Sequence, residues 1–407
     1  MTSVPAPSAD SRPARIGEVF LAFLRLGVTS FGGPIAHLGY FRAEFVARRR
    51  WLDDGAFGDL VALCQFLPGP ASSQVCFSLG LLRGGGLLGG LAASLAFTLP
   101  SALILFGFAL GSSALAGPAA AGALHGLKLV AVAVVAQAVW GMARILTPDR
   151  RRAAIAFVAV AMVTFIGGAF GQIAAIVFGA AAGLWLCRNE SAVVARSALA
   201  FPVSRVGGVV ALAIFAALLV VPPLLAPRMD LGALRLFDAF YRSGALVFGG
   251  GHVVLPLLRA EVVQSGWVSD ATFLSGYGLA QAVPGPLFTF AAYLGAVIGP
   301  APNGLAGAAI ALVAIFLPGL LLVYGTLPFW DALRRKPLAR AALDGTNAAV
   351  VGLLAAALYA PLWTSAVLAP ADFALALAGF LLLTVWKAPS WSVVLLLAIA
   401  GTGLAFL

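Results

Sequence analysis

Charged side chains are scarce in this sequence. Asp, Glu, Lys and Arg make up only 10% of its 407 residues, against about a quarter of a typical soluble domain. This scarcity excludes a large soluble core, because the outer helices of such a core would need polar faces that are missing here. Many apolar runs approach or exceed the roughly 20 residues that cross a bilayer as a helix. The sequence therefore predicts an all-α integral membrane protein that crosses the lipid bilayer several times.

Cysteine and histidine are also few, with three of each. Cys64, Cys76 and Cys187 form no pair at the spacing of metal ligands and are predicted to be small core residues. The sequence contains no cluster of His, Asp and Glu that would build a metal centre or an acid–base pair. We therefore expect no metal, no cofactor and no enzymatic activity. A membrane-embedded enzyme that acts on lipid phosphates is the remote alternative.

Basic residues outnumber acidic ones and give a net charge of +10. They gather in short loops and form no patch with interleaved aromatic residues, so they indicate membrane topology and not nucleic-acid binding. Residues 48–50 and 150–152 carry them in the first half, whereas residues 334–336 and 387 carry them in the second half, in loops that are not equivalent. Because basic loops stay cytoplasmic, the two halves are predicted to be inverted. The N-terminus is expected in the cytoplasm and the C-terminus beyond the plasma (inner) membrane.

An internal repeat accompanies this inversion. Residues 16–187 form the first repeat, residues 232–407 the second, and residues 188–231 a linker with one extra span; residues 1–15, rich in Pro and Ser, are predicted to be a disordered tail. The matching motifs keep their order and spacing: Phe23-x-Arg25-x-Gly27 with Phe240-x-Arg242-x-Gly244, Phe31-Gly32-Gly33 with Phe248-Gly249-Gly250, Arg42-Ala43-Glu44 with Arg259-Ala260-Glu261, and Gln65 before Pro68-Gly69-Pro70 with Gln281 before Pro284-Gly285-Pro286. Repeats of this kind are common in secondary transporters.

Two breaks interrupt the apolar helices of each half, at the Phe-Gly-Gly and Pro-Gly-Pro motifs. Backbone without helical bonds is tolerated at membrane depth only where protein buries it or where it lines a wet cavity. We therefore predict broken or re-entrant helices whose four tips meet near the bilayer midplane. The alternative is that the segments on either side of the first break are complete, thin spans.

Helix N-termini suit anions, because their first N–H groups are unpaired and carry partial positive charge. Half-helices that begin after the four breaks are predicted to form an oxyanion site without a metal. The candidate substrate-binding residues are Arg25, Gly32, Gly33, Gln65, Pro68, Gly69, Pro70, Ser72, Ser73, Arg242, Gly249, Gly250, His252, Gln281, Pro284, Gly285, Pro286 and Thr289. The plainer interpretation of Pro-Gly-Pro is a kink or a turn.

Arginines at membrane depth are costly and usually functional, and their fixed fork of donors matches oxyanions. Arg25 and Arg242 are therefore predicted to face the substrate. For Arg42 and Arg259 we weigh substrate binding against ion pairs with Glu44 and Glu261, respectively. The same two carboxylates, or His252, could instead carry protons in a coupled cycle.

These motifs resemble those of the chromate transporter (CHR) family in its long, two-domain form. The resemblance rests on Phe31-Gly32-Gly33-Pro34, residues 36–42, residues 65–70, residues 98–101 and residues 248–256, and it spans about residues 16–363. It implies a plasma-membrane transporter with antiparallel halves and an odd number of spans, which expels chromate and confers resistance. Sulfate is the alternative substrate, since some members are linked to it. GxxxG-like glycine spacing leaves homo-oligomers open.

Overall fold

The computed structural model describes residues 12–31, 33–112, 117–187, 201–226, 232–248, 251–330 and 336–406. Within these ranges the chain is helical and contains no β-strand, which confirms the predicted all-α class. Five of the described segments are long and apolar enough to cross a membrane: Leu87–Gly111, Pro118–Leu146, Arg205–Leu225, Gly304–Phe329 and Pro337–Ala366. The protein is a multi-pass membrane protein.

The described residues of the first half form eight α-helices. They are α1 (Arg12–Thr29), α2 (Gly33–Phe41, followed by a π-helical turn over Arg42–Arg48), α3 (Asp54–Phe66), α4 (Ala71–Gly84), α5 (Leu87–Ser112), α6 (Pro118–Leu146), α7 (Arg150–Ile166) and α8 (Gly168–Leu186). Helix α1 begins inside the segment predicted as a disordered tail, and residues 1–11 lie outside the described part of the chain. The extra span of the linker is α9 (Arg205–Leu225).

The second half repeats this order. It contains α10 (Gly232–Ala245), α11 (Val254–Val262, after a 3₁₀ turn over Gly251–Val253), α12 (Asp270–Ala282), α13 (Phe290–Val297, after a 3₁₀ turn over Leu287–Thr289), α14 (Gly304–Thr326), α15 (Pro337–Ala357), α16 (Pro370–Thr384) and α17 (Ser390–Leu404). The equivalents of α1 to α8 are therefore α10 to α17.

The Pro-Gly-Pro breaks arise from the same local chemistry in both halves. A proline cannot continue a helix without losing a backbone hydrogen bond, so α3 ends two residues before Pro68 and α12 ends two residues before Pro284. The glycines between the prolines have positive φ angles, +118° for Gly69 and +100° for Gly285. Residues with a side chain rarely adopt such angles, so each break depends on its glycine.

The two halves interlock reciprocally. Helices α1 and α4 pack on α5, as α10 and α13 pack on α14; across the halves, α13 contacts α5 and α4 contacts α14. Outside this core, α6 packs against α16 and α17, while α15 packs against α7 and α8. Reciprocal contacts of this kind are those expected from two repeats related by an approximate two-fold axis.

Small residues allow the outer helices to approach closely. A Cβ atom at Gly345 of α15 would overlap the carbonyl of Gly179 in α8, and one at Gly401 of α17 would overlap the carbonyl of Gly122 in α6. Large apolar side chains cover the outward faces, for example Phe165, which is 87% exposed, and Trp185, which is 79% exposed. Such faces suit lipid and not water.

Candidate functional site

Each Pro-Gly-Pro break is tied to the Phe-Gly-Gly break of the other half. The Gly69 N–H donates to the carbonyl of Val247, with an N···O distance of 2.7 Å, and the Gly285 N–H donates to the carbonyl of Ser30 at 2.8 Å. Val247 comes directly before Phe248-Gly249-Gly250, and Ser30 comes directly before Phe31-Gly32-Gly33. The breaks of the two halves therefore meet in one region of the molecule.

Further contacts close this region. A Cβ at Gly69 would lie 3.0 Å from the Gly319 Cα in α14, and a Cβ at Gly285 would lie 2.9 Å from the Ser101 Oγ in α5. A Cβ at Gly251 would lie 3.0 Å from the Pro34 Cγ, so the ends of the two Phe-Gly-Gly breaks also touch. Gly32, Gly249 and Gly250, which were predicted to bind substrate, lie outside the described residues.

The first half surrounds its breaks with buried polar side chains. His37 Nδ1 lies 3.5 Å from Ser72 Oγ, and the His37 ring meets the Phe97 ring edge-on, with 5.2 Å between centroids. The Gln74 Nε2 donates to the carbonyls of Pro68 at 2.9 Å and Gly319 at 3.1 Å. Gln74 therefore holds the Pro-Gly-Pro break against α14.

Several polar atoms in this region have no hydrogen-bond partner among the described residues. They are Ser30 Oγ, His37 Nε2, Ser73 Oγ and Gln74 Oε1. All four side chains are buried, and buried polar groups are normally paired. In addition, no side chain caps the start of α4 after Pro70. Unpaired N–H and O–H groups at a helix start are the donors that an anion requires.

The polar groups of the second half are mostly satisfied within the protein. The Thr289 Oγ1 donates to the Pro286 carbonyl at 2.7 Å, and His252 Nδ1 lies 2.7 Å from the hydroxyl of Tyr277. Gln281 is buried next to its break, and its Nε2 has no partner within the described residues. No side chain caps the 3₁₀ turn that follows Pro286.

Two of the predicted substrate residues stand apart from the buried polar groups. Arg25 on α1 and Gln65 on α3 are exposed, and Arg25 has no carboxylate partner within the described residues. Arg242 does have such partners: its Nε donates to Asp238 Oδ1 at 3.1 Å and its Nη2 to Glu261 Oε2 at 3.0 Å. This ion pair was not predicted from the sequence, although Asp238 lies four residues before Arg242, a spacing at which helical side chains face each other.

Arg42 and Arg259 do not form the ion pairs with Glu44 and Glu261 that were weighed as one alternative for them. The Arg42 Nε donates to Asp54 Oδ1 at 2.7 Å, and the equivalent Arg259 Nε donates to Asp270 Oδ1 at 2.9 Å. Side chains two residues apart on a helix point in different directions, so neither arginine reaches the glutamate of its own motif. Each instead joins the helical segment that follows its Phe-Gly-Gly break to the start of the next helix, α3 or α12.

Glu44 lies among arginines in the π-helical turn that follows α2, outside the five candidate spans. It pairs with Arg48 and with Arg49, whose Nε lies 2.7 Å from its Oε1. The hydrogen bond from Arg48 and a further one from Arg49 lower the pKa of Glu44 to about 2. Glu44 is therefore ionised near neutral pH and is a poor candidate for carrying protons there.

Comparisons with known proteins agree with this architecture. A family model described as "Chromate transporter" matches the chain twice, over residues 17–184 and 234–403. A chromate transport protein of Pseudomonas aeruginosa is 32% identical over 352 residues, which cover 84% of this chain and 80% of that protein. A chromate transport protein of Cupriavidus metallidurans is 25% identical, with 84% and 81% coverage. No solved structure matches the chain.

Proposed function

The chain belongs to the chromate transporter family, and on this premise we propose that it is a secondary transporter that exports chromate across the plasma membrane and thereby confers chromate resistance. The observation that carries the proposal is the cross-pairing of the breaks, in which Gly69 bonds to Val247 and Gly285 bonds to Ser30. A membrane scaffold would not need duplicated helix breaks that meet. Two relatives named as chromate transport proteins support the choice of substrate.

The chemistry of the breaks suits a tetrahedral oxyanion. Chromate offers four oxygen atoms that accept hydrogen bonds, and its charge is stabilised by the positive end of a helix. The start of α4 supplies uncapped N–H groups together with the hydroxyls of Ser72 and Ser73. In this proposal the breaks lie near the bilayer midplane, as irregular backbone between transporter repeats typically does.

Alternating access follows from the way in which the halves are joined. The hydrogen bonds between the breaks connect the two halves at the site. Farther out, the halves are connected by the packing of α6 against α17 and of α8 against α15. In this proposal the repeats have inverted topology, supported by the distribution of basic loops and by the reciprocal packing. One half then rocks against the other and exposes the same site first to the cytoplasm and then to the outside.

The membrane potential can drive the export of a dianion. An inside-negative potential contributes about 2.3 kcal/mol per charge for each 100 mV, hence about 4.6 kcal/mol for two charges. Since about 1.4 kcal/mol corresponds to a tenfold ratio, this supports a gradient of roughly three decades. Export therefore needs no co-ion in principle. Proton exchange through Glu261 or His252 is the alternative coupling.

The test is transport into inverted membrane vesicles that contain the purified protein. Radiolabelled chromate and sulfate are supplied separately, with an imposed potential in one series and a pH gradient in another. Vesicles prepared without the protein provide the control for leakage. We expect chromate to accumulate under an inside-positive potential, which corresponds to export from the cell.

Each outcome decides a separate part of the proposal. Accumulation that requires the pH gradient would overturn export driven by potential alone and would favour Glu261 or His252 as a proton carrier. A preference for sulfate would leave the architecture intact and change the substrate. Absence of transport of both anions in either series would overturn the proposed function.

A further inference from the structure

The two halves differ in chemistry at equivalent positions around the breaks. Aligning the repeated motifs places Ser30 opposite Val247 and His37 opposite Val254. It also places the first turn of α4 opposite the turn after Pro286, so that Ser72, Ser73 and Gln74 correspond to Phe288, Thr289 and Phe290. The backbone is thus repeated, whereas four of these five polar side chains have apolar counterparts.

Two of these polar residues, Ser72 and Ser30, lie next to the ring of His37. Its Nδ1 is 3.5 Å from Ser72 Oγ at the start of α4, and its ring neighbours the backbone of Ser30 at the end of α1. The Ser30 carbonyl in turn accepts the N–H of Gly285. Gln281 lies in the last turn of α12, directly before the Pro-Gly-Pro break whose Gly285 makes this bond to Ser30.

Four buried groups of this region have no partner within the described residues: Ser30 Oγ, His37 Nε2, Ser73 Oγ and Gln281 Nε2. The two hydroxyls and the amide can donate hydrogen bonds, and His37 Nε2 donates in the tautomer that carries the proton on this nitrogen. Their side chains are at most 8% exposed. A buried polar group without a partner costs about 1–3 kcal/mol, so several in one place indicate a ligand. None of the four is a carboxylate, and none therefore repels an anion.

We infer that the transporter has a single oxyanion site, to which Ser30, His37 and Ser73 of the first half and Gln281 of the second half donate hydrogen bonds. The inference rests on the proposed function and adds three points to it: the number of sites, the roles of Ser30 and His37, and the unequal contribution of the halves. Gln74 is a positioning residue, because its Nε2 already holds the carbonyls of Pro68 and Gly319.

The experiment measures the binding of chromate to the full-length protein in lipid nanodiscs by titration calorimetry. We expect one chromate bound per chain. Ser30→Ala and Ser73→Ala should each weaken binding by about tenfold, the effect of a lost hydrogen bond to a charged group. His37→Leu should weaken binding by a similar factor, and His37→Gln, which retains a donor, should restore part of it.

Ser78→Ala is the matched control. Ser78 is buried in the same helix as Ser73, but its hydroxyl donates within the helix to the Gln74 carbonyl at 2.8 Å. The Ser78→Ala protein should bind chromate with the same affinity as the wild type. Melting temperatures of all variants identify any that fail to fold, and the remaining variants then decide the question.

The outcomes separate this inference from the proposed function. Two chromates bound per chain would overturn the single site, and wild-type affinity in the folded Ser30, His37 and Ser73 variants would overturn the assigned residues; both results leave transport by the protein intact. A wild-type protein that binds neither chromate nor sulfate would instead overturn the proposed function itself.

Discussion

The two halves of the molecule share a backbone and differ in where they place their polar groups. The first half keeps neutral polar side chains buried at its breaks, and one of its ion-pair clusters joins Glu18 of α1 to Arg49 and to Arg83 of α4. The second half has mostly apolar or satisfied groups at its breaks. One of its ion-pair clusters lies on α10 and α11, where Arg242 joins Asp238 and Glu261.

This difference shows what a transporter needs to keep after duplication and what it can change. The breaks, the ties between them and the helix contacts must stay matched, because each half supports the other reciprocally. The side chains are free to diverge in the single site proposed above, since one bound anion needs one set of donors. Symmetry therefore belongs to the framework and asymmetry to the chemistry.

The largest expected effect concerns the inverted arrangement of the halves, which gives an all-or-none result. The test replaces Arg50 or Gln264 by a single cysteine. These residues lie in equivalent turns, before α3 and before α12. Because the basic loops indicate opposite orientations, a membrane-impermeant thiol reagent should label them from opposite faces of sealed vesicles. The native cysteines Cys64, Cys76 and Cys187 are buried, and the unaltered protein reports any background from them. Labelling of both sites from one face would contradict inversion.

A loss of transport of at least about tenfold is expected when either Pro-Gly-Pro glycine is replaced by valine. Both glycines have positive φ angles, and a Cβ would come within 3.0 Å of Gly319 in one half and 2.9 Å of Ser101 in the other. A β-branched residue cannot adopt this backbone without strain. Initial rates of chromate uptake into inverted vesicles measure the effect.

Gly58→Ala is the control for these variants, because a Cβ there meets no atom within 4 Å. Equal losses at Gly69 and Gly285 would sharpen the conclusion that the framework is symmetrical. A normal rate in one of the two valine variants would show that only one break takes part in transport.

Local patterns in the sequence predict the framework well. The prolines and glycines that break the helices are visible at single positions, and their duplication in register predicts that α3 and α12 end where they do. Contacts between distant segments are less accessible. Arg42 pairs with Asp54 only because the segment after α2 lies against the start of α3. The carboxylate nearest to Arg42 in the chain, Glu44, is the wrong partner.

The candidate site was predictable only in part. Ser73 lies at a recognisable helix start, whereas Ser30 and His37 become candidates only when the fold buries them without partners. Burial depends on which segments pack together, and a single sequence does not reveal this. The ion pair of Asp238 with Arg242 could have been predicted, because the two residues are four positions apart on a helix. It was missed because the repeated motif contains only the arginine.

A smaller effect should distinguish Arg242 from Arg25. Removing the Arg242 side chain leaves Asp238, which is 6% exposed, and Glu261 without their shared cation. Breaking a largely buried pair by removing one partner costs about 3 kcal/mol or more. Arg242→Ala should therefore unfold at a clearly lower temperature, while Arg25→Ala should melt as the wild type does, because Arg25 is exposed.

Thermal unfolding in detergent measures this difference, and Arg242→Lys is the control that keeps the charge. Transport by the folded Arg25→Ala protein tests separately whether this exposed arginine attracts the anion. Equal melting temperatures of Arg25→Ala and Arg242→Ala would contradict the view that Arg242 serves an internal ion-pair network.

The smallest expected effect compares the one ion pair that both halves retain. The side chains of Arg42 and Asp54 are 62% and 63% exposed, and those of Arg259 and Asp270 are 22% and 41% exposed. Exposed ion pairs contribute about 0–1 kcal/mol, so Arg42→Ala should change the stability by no more than about 0.5 kcal/mol.

Arg259 also makes a second bond to the same carboxylate, from Nη2 to Asp270 Oδ2 at 3.1 Å. Bidentate pairs are the stronger ones, so Arg259→Ala should cost about 1 kcal/mol. Chemical denaturation of each variant beside its double mutant with Asp54→Ala or Asp270→Ala isolates the pair energies. A larger coupling for Arg42 than for Arg259 would show that exposure and geometry do not rank these pairs. The ion pair before α3 would then be at least as strong as the one before α12, and the divergence between the halves would be confined to the breaks.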